Sequence, residues 1–179
     1  MAERRAIRLV GGRRSALAGM LALAALACAL AATIIVPPAP RFVWNVSASA
    51  PRGLYLVGRP DDVGVGDMVV ARMPAPWRRF AAGRRYLPAN VPLVKRVAAR
   101  PGDRVCASGR QLLVNGRLIG ERRAADGAGR PMPWWNGCTV LDAGTLFLLM
   151  DDPASFDGRY FGPTTRGDVI GEARLLWRA

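Results

Sequence analysis

Histidine is missing from all 179 residues of this chain, and that absence removes more chemistry than any other feature of its composition. Without an imidazole there is no Ser-His-Asp or Cys-His catalysis, and most zinc sites lose their commonest ligand. Lysine is nearly missing too. Lys95 is the only one among 26 basic residues, and the rest are arginines, whose guanidinium stays protonated and cannot act as a base. Acidic residues number 13, leaving a formal charge of +13. Such an excess suits nucleic acid, an anionic membrane surface or an acidic partner, and charge by itself does not choose among them. Cysteine is limited to Cys28, Cys106 and Cys138. No internal repeat is visible, and the length suffices for one membrane segment and one domain of ordinary size.

What is present begins with an apolar run. Ser15 to Val36 comprises 22 residues without a charge, enough helix to cross the roughly 30 Å hydrocarbon layer of a bilayer. Arg4, Arg5, Arg8, Arg13 and Arg14 precede it. By the positive-inside rule this basic segment, 1–14, stays in the cytoplasm and the residues after the run cross the membrane, into the periplasm of a Gram-negative bacterium. The run is longer than the roughly 7 to 15 apolar residues of a cleaved signal peptide, although its Ala-x-Ala triplets offer cleavage sites. We read it as a retained transmembrane anchor over 15–36. Cys28 has Ala25 where a lipoprotein signal usually carries leucine, and is read as an apolar helix residue. Pro37, Pro38 and Pro40 end the helix and stiffen a linker over 37–40.

The remaining domain, 41–179, shows short β-type runs broken by Gly, Pro and Asp: 53–57, 67–72, 92–98, 111–119 and 145–150. No long helical periodicity follows the anchor, so a mostly β domain is expected. Asn115-Gly116, flanked by Gln-Leu-Leu-Val and Arg-Leu-Ile, is the pair suited to a tight type I′ hairpin turn. It falls in a hairpin-containing insertion over about 104–140. Cys106 and Cys138 bracket this hairpin and could pair in an oxidising compartment, closing a loop worth about 3 to 4 kcal/mol on the chain-entropy estimate. Two unpaired, buried thiols are the alternative. Pro74 to Pro88 mixes Trp77 and Tyr86 with Arg78, Arg79, Arg84 and Arg85, which suits either the headgroup zone of an anionic membrane or a solvated loop. Trp134 and Trp135 suit contact with membrane or substrate, or packing over the cysteine pair.

A serine nucleophile in this chain needs a base other than histidine. The most practical one is a lysine whose ammonium is made easier to deprotonate by burial among apolar groups. In Leu93-Val94-Lys95-Arg96-Val97, strand alternation places Leu93, Lys95 and Val97 on one face and Val94 with Arg96 on the other. An edge-strand lysine in solvent is the plainer alternative. The candidate nucleophile is Ser49, in Asn45-Val46-Ser47-Ala48-Ser49-Ala50-Pro51-Arg52-Gly53-Leu54-Tyr55 just after the anchor. Serines before a proline also occur as simple turn formers.

In order along the chain stand Ser-x-Ser-x-Pro-x-Gly-x-Tyr, Gly66-Asp67-Met68-Val69-Val70, Val94-Lys95-Arg96-Val97 with Pro101-Gly102-Asp103, and Ser155-Phe156-Asp157-Gly158-Arg159-Tyr160-Phe161-Gly162. This series resembles the type I signal peptidase superfamily, and most closely its conjugative-transfer branch of TraF-type peptidases. The resemblance implies a signal-peptidase-like β-rich fold, with Ser49 as nucleophile and Lys95 as general base. It further implies that Ser47 and the backbone N–H of Ser49 form the oxyanion hole, that Ser155 orients the lysine, and that Asp157 and Arg159 are structural. Only Ala50 separates Ser49 from Pro51, the spacing of the TraF-type branch, and Ser47 is the alternative nucleophile. Met150-Asp151-Asp152-Pro153 stands where signal peptidases usually show Gly-Asp-Asn, so no role carries over to Asp151 or Asp152.

The expectation is therefore a serine endopeptidase with a Ser/Lys dyad, needing no metal and no cofactor. Its partners would be precursor proteins exported across the membrane, a pilin precursor above all, together with membrane lipid and conjugation machinery. A non-catalytic binding subunit of a conjugation or secretion apparatus is the alternative. Nucleic acid is not expected as a partner, because the expected topology puts the domain on the side away from cytoplasmic DNA.

Overall fold

The computed structural model describes residues 3–36, 38–61 and 63–179, the side chains of residues 3–14 aside. Pro37, and the side chains of the five N-terminal arginines, lie outside the described residues. The chain divides into two units, Met1–Ala39 and Pro40–Ala179. The first is one helix, α1 (Glu3–Ile35), which takes in most of the basic segment as well as the apolar run. Its stretch Ser15–Ile35 is long and apolar enough to cross a membrane, and its leucines and isoleucines are exposed.

The second unit is mostly β. Among its described residues, eleven strands make two sheets in which every pairing is antiparallel. The strands are β1 (Phe42–Asn45), β2 (Gly53–Val57), β3 (Met68–Ala71), β4 (Leu93–Ala99), β5 (Arg104–Ser108), β6 (Gln111–Val114), β7 (Arg117–Glu121), β8 (Gly137–Val140), β9 (Thr145–Leu149), β10 (Thr164–Thr165) and β11 (Val169–Arg178). The larger sheet runs β1-β2-β11-β3-β4-β9-β10 and the smaller β7-β6-β5-β8. Among the described residues two α-helices interrupt the strands, α2 (Ala75–Gly83) and the single turn α3 (Gly158–Phe161), and a 3-10 turn Arg166–Asp168 precedes β11.

Strands β3, β4 and β9 are buried almost throughout, the pattern of strands covered on both faces. One face holds Val69, Val97, Leu146 and Leu148. Val70, Val94, Tyr55 and Met150 share another cluster with Ala50, next to the candidate nucleophile. Strand β11 reaches across the middle of the sheet by pairing with both β2 and β3, and its register shifts twice on the way. At Gly171 an added Cβ would lie 2.0 Å from the Gly58 carbonyl oxygen, and at Gly53 1.9 Å from that of Trp177. Backbone approaches backbone at both points, and only glycine fits there.

The smaller sheet covers Arg104–Val140. Asn115 and Gly116 both have positive φ, 50° and 82°, and Val114 pairs directly with Arg117 across them, the two-residue turn expected of Asn-Gly. Cys106 and Cys138 face each other on β5 and β8 and are disulfide-bonded. The arginine–aromatic segment 74–88 differs from both readings of its composition. It contains α2, and Trp77, Phe80 and Tyr86 turn inward to pack around Phe156. Arg78 donates to Met73 O and pairs with Asp168, while Arg84 donates to the carbonyl of Pro131. The rings and two of the arginines are thus spent inside the domain. Trp135 donates its indole N–H to Gly158 O and packs edge-on against Phe147, whereas Trp134 lies over the guanidinium of Arg122.

Candidate active site

The site begins with a shaped turn between β1 and β2. Asn45, the last residue of β1, is buried. Its side-chain N–H groups reach the carbonyls of Ser47, Ala50 and Pro51 at 3.1–3.2 Å, and its oxygen accepts the Ser47 N–H at 3.0 Å. One amide side chain thereby holds the whole Ser47–Pro51 loop, as short polar side chains do in turns. Tyr55, buried on β2, donates its hydroxyl to Pro51 O at 2.8 Å, fixing the loop from the other end. Neither residue had a role assigned from sequence. An asparagine just ahead of a Ser-x-Ser-x-Pro turn was the signal for the first.

Lys95 lies on β4, between β3 and β9 rather than at a sheet edge, and is only 4% exposed. Arg96 points away and pairs with Asp151 at 2.8 Å on the surface. The Lys95 Nζ donates to Ser49 Oγ at 2.9 Å and to Ser155 Oγ at 2.7 Å. Ser47 Oγ is 3.0 Å from Ser49 Oγ and accepts the Ser49 backbone N–H at 3.3 Å. Ser155, Lys95, Ser49 and Ser47 thus form one continuous chain of polar contacts. Burial pushes the Lys95 ammonium down to about 8, more strongly than the carboxylates of Asp157 and Asp152 hold it up. An amine so placed is uncharged in a useful fraction near neutral pH.

Ser155 is buried and placed by its C-terminal neighbours. Asp157 takes the Met150 N–H at 3.1 Å and caps α3 through the Arg159 N–H. Its carboxylate pairs with the buried Arg159 guanidinium at 2.8 Å, and Arg159 also holds the carbonyls of Met150 and Glu121. This buried pair binds the Ser155 segment to the end of β9, the structural part expected of it. Phe156, next to Ser155, is ringed by Trp77, Phe80, Tyr86, Tyr160 and Phe161, so α2 supports the same segment from the other side.

Ser47, Ser49, Lys95 and Ser155 open into a groove of about 400 Å³. Its walls include Val43, Leu87, Val91, Leu93 and Phe156, with Arg123, Asp126 and Met132 from the segment between β7 and β8. Among the described residues no cluster of three or more His, Cys, Asp or Glu is disposed to hold a metal ion.

The family model for "Signal peptidase, peptidase S26" matches residues 14–178. A plasmid transfer protein TraF of Escherichia coli is 34% identical over 141 residues, covering 75% of this chain and 76% of its own. A probable conjugal transfer protein TraF of Sinorhizobium fredii is 32% identical over 178 residues, covering 94% of both chains. Among solved structures, a signal peptidase I of Enterococcus faecalis aligns with a TM-score of 0.37 at 21% identity, over 63% of this chain and 97% of its own. On the extent of the family match and the identity to these relatives, the chain belongs to the S26 signal peptidase family and is related to the TraF conjugative-transfer proteins.

Proposed function

We propose that this protein is a membrane-anchored serine endopeptidase in which Ser49 is the nucleophile and Lys95 the general base. The observation that carries the reading is the Nζ of a buried lysine 2.9 Å from a serine hydroxyl, with its ammonium pushed down to about 8. Uncharged Lys95 takes the Ser49 hydroxyl proton while Oγ bonds to the scissile carbonyl carbon. The carbonyl oxygen gains negative charge as it becomes tetrahedral, and the Ser47 hydroxyl and the Ser49 backbone N–H, released from its 3.3 Å contact with Ser47 Oγ, donate to it. The C–N bond then breaks, Lys95 returns the proton to the leaving amine, and a serine ester remains. Water resolves that ester to an acid; an amine of the substrate in its place gives a new amide and, if both ends belong to one chain, a ring. Ser155 keeps the Lys95 amine aimed at Ser49.

The substrate class follows from kinship. Relatives named for plasmid and conjugal transfer point to an exported precursor of a conjugation system, a pilin precursor first among them. The arginines ahead of Ser15 orient α1 with its N-terminus in the cytoplasm and the catalytic unit in the periplasm, next to the inner-membrane lipids and the transfer machinery. A reporter fused after Ala179 tests that topology, and a cytoplasmic signal overturns it. The activity is tested with full-length protein in membranes and a conjugative pilin precursor as substrate: Ser49→Ala and Lys95→Ala should each abolish processing. Undiminished processing by either variant removes the dyad, and no processing by any form leaves a non-catalytic binding subunit.

A further inference from the structure

Four charged residues line the groove that holds Ser49: Lys95, Arg123, Asp126 and Asp152. Three have work within the protein. Lys95 is bound to two hydroxyls. Asp126 is saturated: one carboxylate oxygen accepts the N–H groups of Ala128 and Arg130, and the other accepts Tyr86 Oη–H and Arg130 Nε–H, with Arg84 3.8 Å away. The Tyr86 hydroxyl and these N–H groups hold it well below the usual carboxylate range. Asp152 accepts the Ala154 N–H at 2.7 Å in the turn leading to Ser155.

Arg123 differs. Its main chain is anchored on both sides: the Tyr160 hydroxyl accepts its N–H at 3.0 Å, and the following Ala124 O accepts the Met132 N–H at 2.8 Å. The preceding Arg122 is fully buried, with its guanidinium held by Gly109 O, Trp135 O and Asn136 Oδ1 at 2.5–2.8 Å. The Arg123 side chain is exposed and has no hydrogen-bond or ion-pair partner among the described residues. Among the described residues it is the only arginine on a groove wall that is otherwise largely apolar. A few well-placed polar groups on such a wall decide which ligand fits. A guanidinium presents parallel N–H donors matched to the two oxygens of a carboxylate. The nearby negative charge of Asp126 is already neutralised by Arg84 and Arg130, so it does little to repel such a group.

We propose that Arg123 selects substrates by pairing with a carboxylate on the peptide that fills the groove. The inference rests on the peptidase reading for the ligand being a peptide, and not on turnover. A peptide offers carboxylates as Asp or Glu side chains and as its terminal α-carboxylate, and either has the required shape.

The test is binding to full-length Ser49→Ala protein in phosphatidylcholine vesicles. The probes are synthetic peptides with an Ala-x-Ala core, in which one Glu is walked through each flanking position, against the matching Gln peptides, each with a free or an amidated C-terminus. The expected result is a carboxylate peptide bound about tenfold more tightly than its neutral twin, with the Glu and free-terminus series telling which carboxylate is read. Adding Arg123→Gln should remove that preference while leaving neutral peptides bound as before, which also shows the groove intact, and Arg123→Lys should restore part of it. The proposal is overturned by a preference that survives Arg123→Gln, by no difference between Glu and Gln peptides at any position, or by an Arg123 effect seen only with anionic vesicles. Turnover by the Ser49→Ala protein would sink the dyad and leave this result standing, so the two failures are distinct.

Discussion

The larger sheet, and the smaller sheet whose β7–β8 connection brings Arg123, Asp126 and Met132 to the groove, are held by different means. The larger sheet relies on burial: β3, β4 and β9 are covered on both faces, and the charges it takes inside, Lys95, Asp157 and Arg159, are each met by several partners. The smaller sheet buries one face only: Val105, Ala107 and Leu112 share a core cluster with Ala99, Phe147 and Leu149 of the larger sheet, while every residue of β8 is exposed and β7 is exposed or half-buried. It is held further by a disulfide, by the tethered guanidinium of Arg122, and by Asn115 reaching back to Asp103. Strands covered on both faces can hold a desolvated lysine; a sheet with one exposed face and an exposed edge strand gains from staples.

The largest effect that sharpens this contrast is on rate. With Lys95 as base, kcat/KM should fall about tenfold for each pH unit below about 8, and a profile flat down to pH 6 would break the assignment. The same group has a stability signature of defined sign. Its folded value is depressed, so the folded state sheds the proton before the unfolded chain does. The resulting destabilisation, roughly 3 kcal/mol for the drop from 10.5 to about 8, is full below pH 8 and is relieved as pH rises towards 10.5. Lys95→Met should therefore be more stable than the native chain at pH 7 and lose that advantage near pH 10, as read by chemical denaturation.

The largest effect on stability is Asp157→Asn, which leaves a buried Arg159 charge uncompensated and should cost about 3 to 5 kcal/mol, melting the larger sheet cooperatively. The paired change Cys106→Ser with Cys138→Ser removes about 3 to 4 kcal/mol of chain constraint, but the loss should stay local. Amide exchange should speed up in β5 and β8 while β3, β4 and β9 keep their protection. Equal loss in both sheets would show that they are one cooperative unit and end the comparison. The smallest effect is Arg96→Ala, whose partner Asp151 is 84% exposed; it should change stability by less than about 1 kcal/mol.

Much of the site was legible because its residues are rare in this chain. One lysine and no histidine leave few ways to activate a serine, and Leu93 and Val97 give Lys95 apolar neighbours, although their alternation alone did not separate a buried strand from an edge strand. Asn115-Gly116 carried its own turn geometry. Three elements were hidden for physical reasons. Strand β11 has no clean alternation, because two register shifts and the small residues Gly171 and Ala173 break the period. Helix α2 is nine residues long with proline in its first turn, too short for a 3.6-residue pattern to emerge. Its tryptophan and arginines suited a membrane face or a solvated loop equally, because composition cannot tell which way a ring points. The roles of Asn45 and Tyr55 depend on carbonyls brought close only when β1, β2 and the serine loop come together.

The solitary lysine also makes the domain's interior countable. An endoprotease that cuts only after lysine has a single target bond in this chain, Lys95–Arg96, and that bond lies in β4, hydrogen-bonded on both edges in the middle of the larger sheet. Digestion cannot begin at a frayed end or a surface loop. Each cleavage counts one opening of the sheet's interior, so the appearance of two fragments, 1–95 and 96–179, is a clock for the rarest excursion the domain makes.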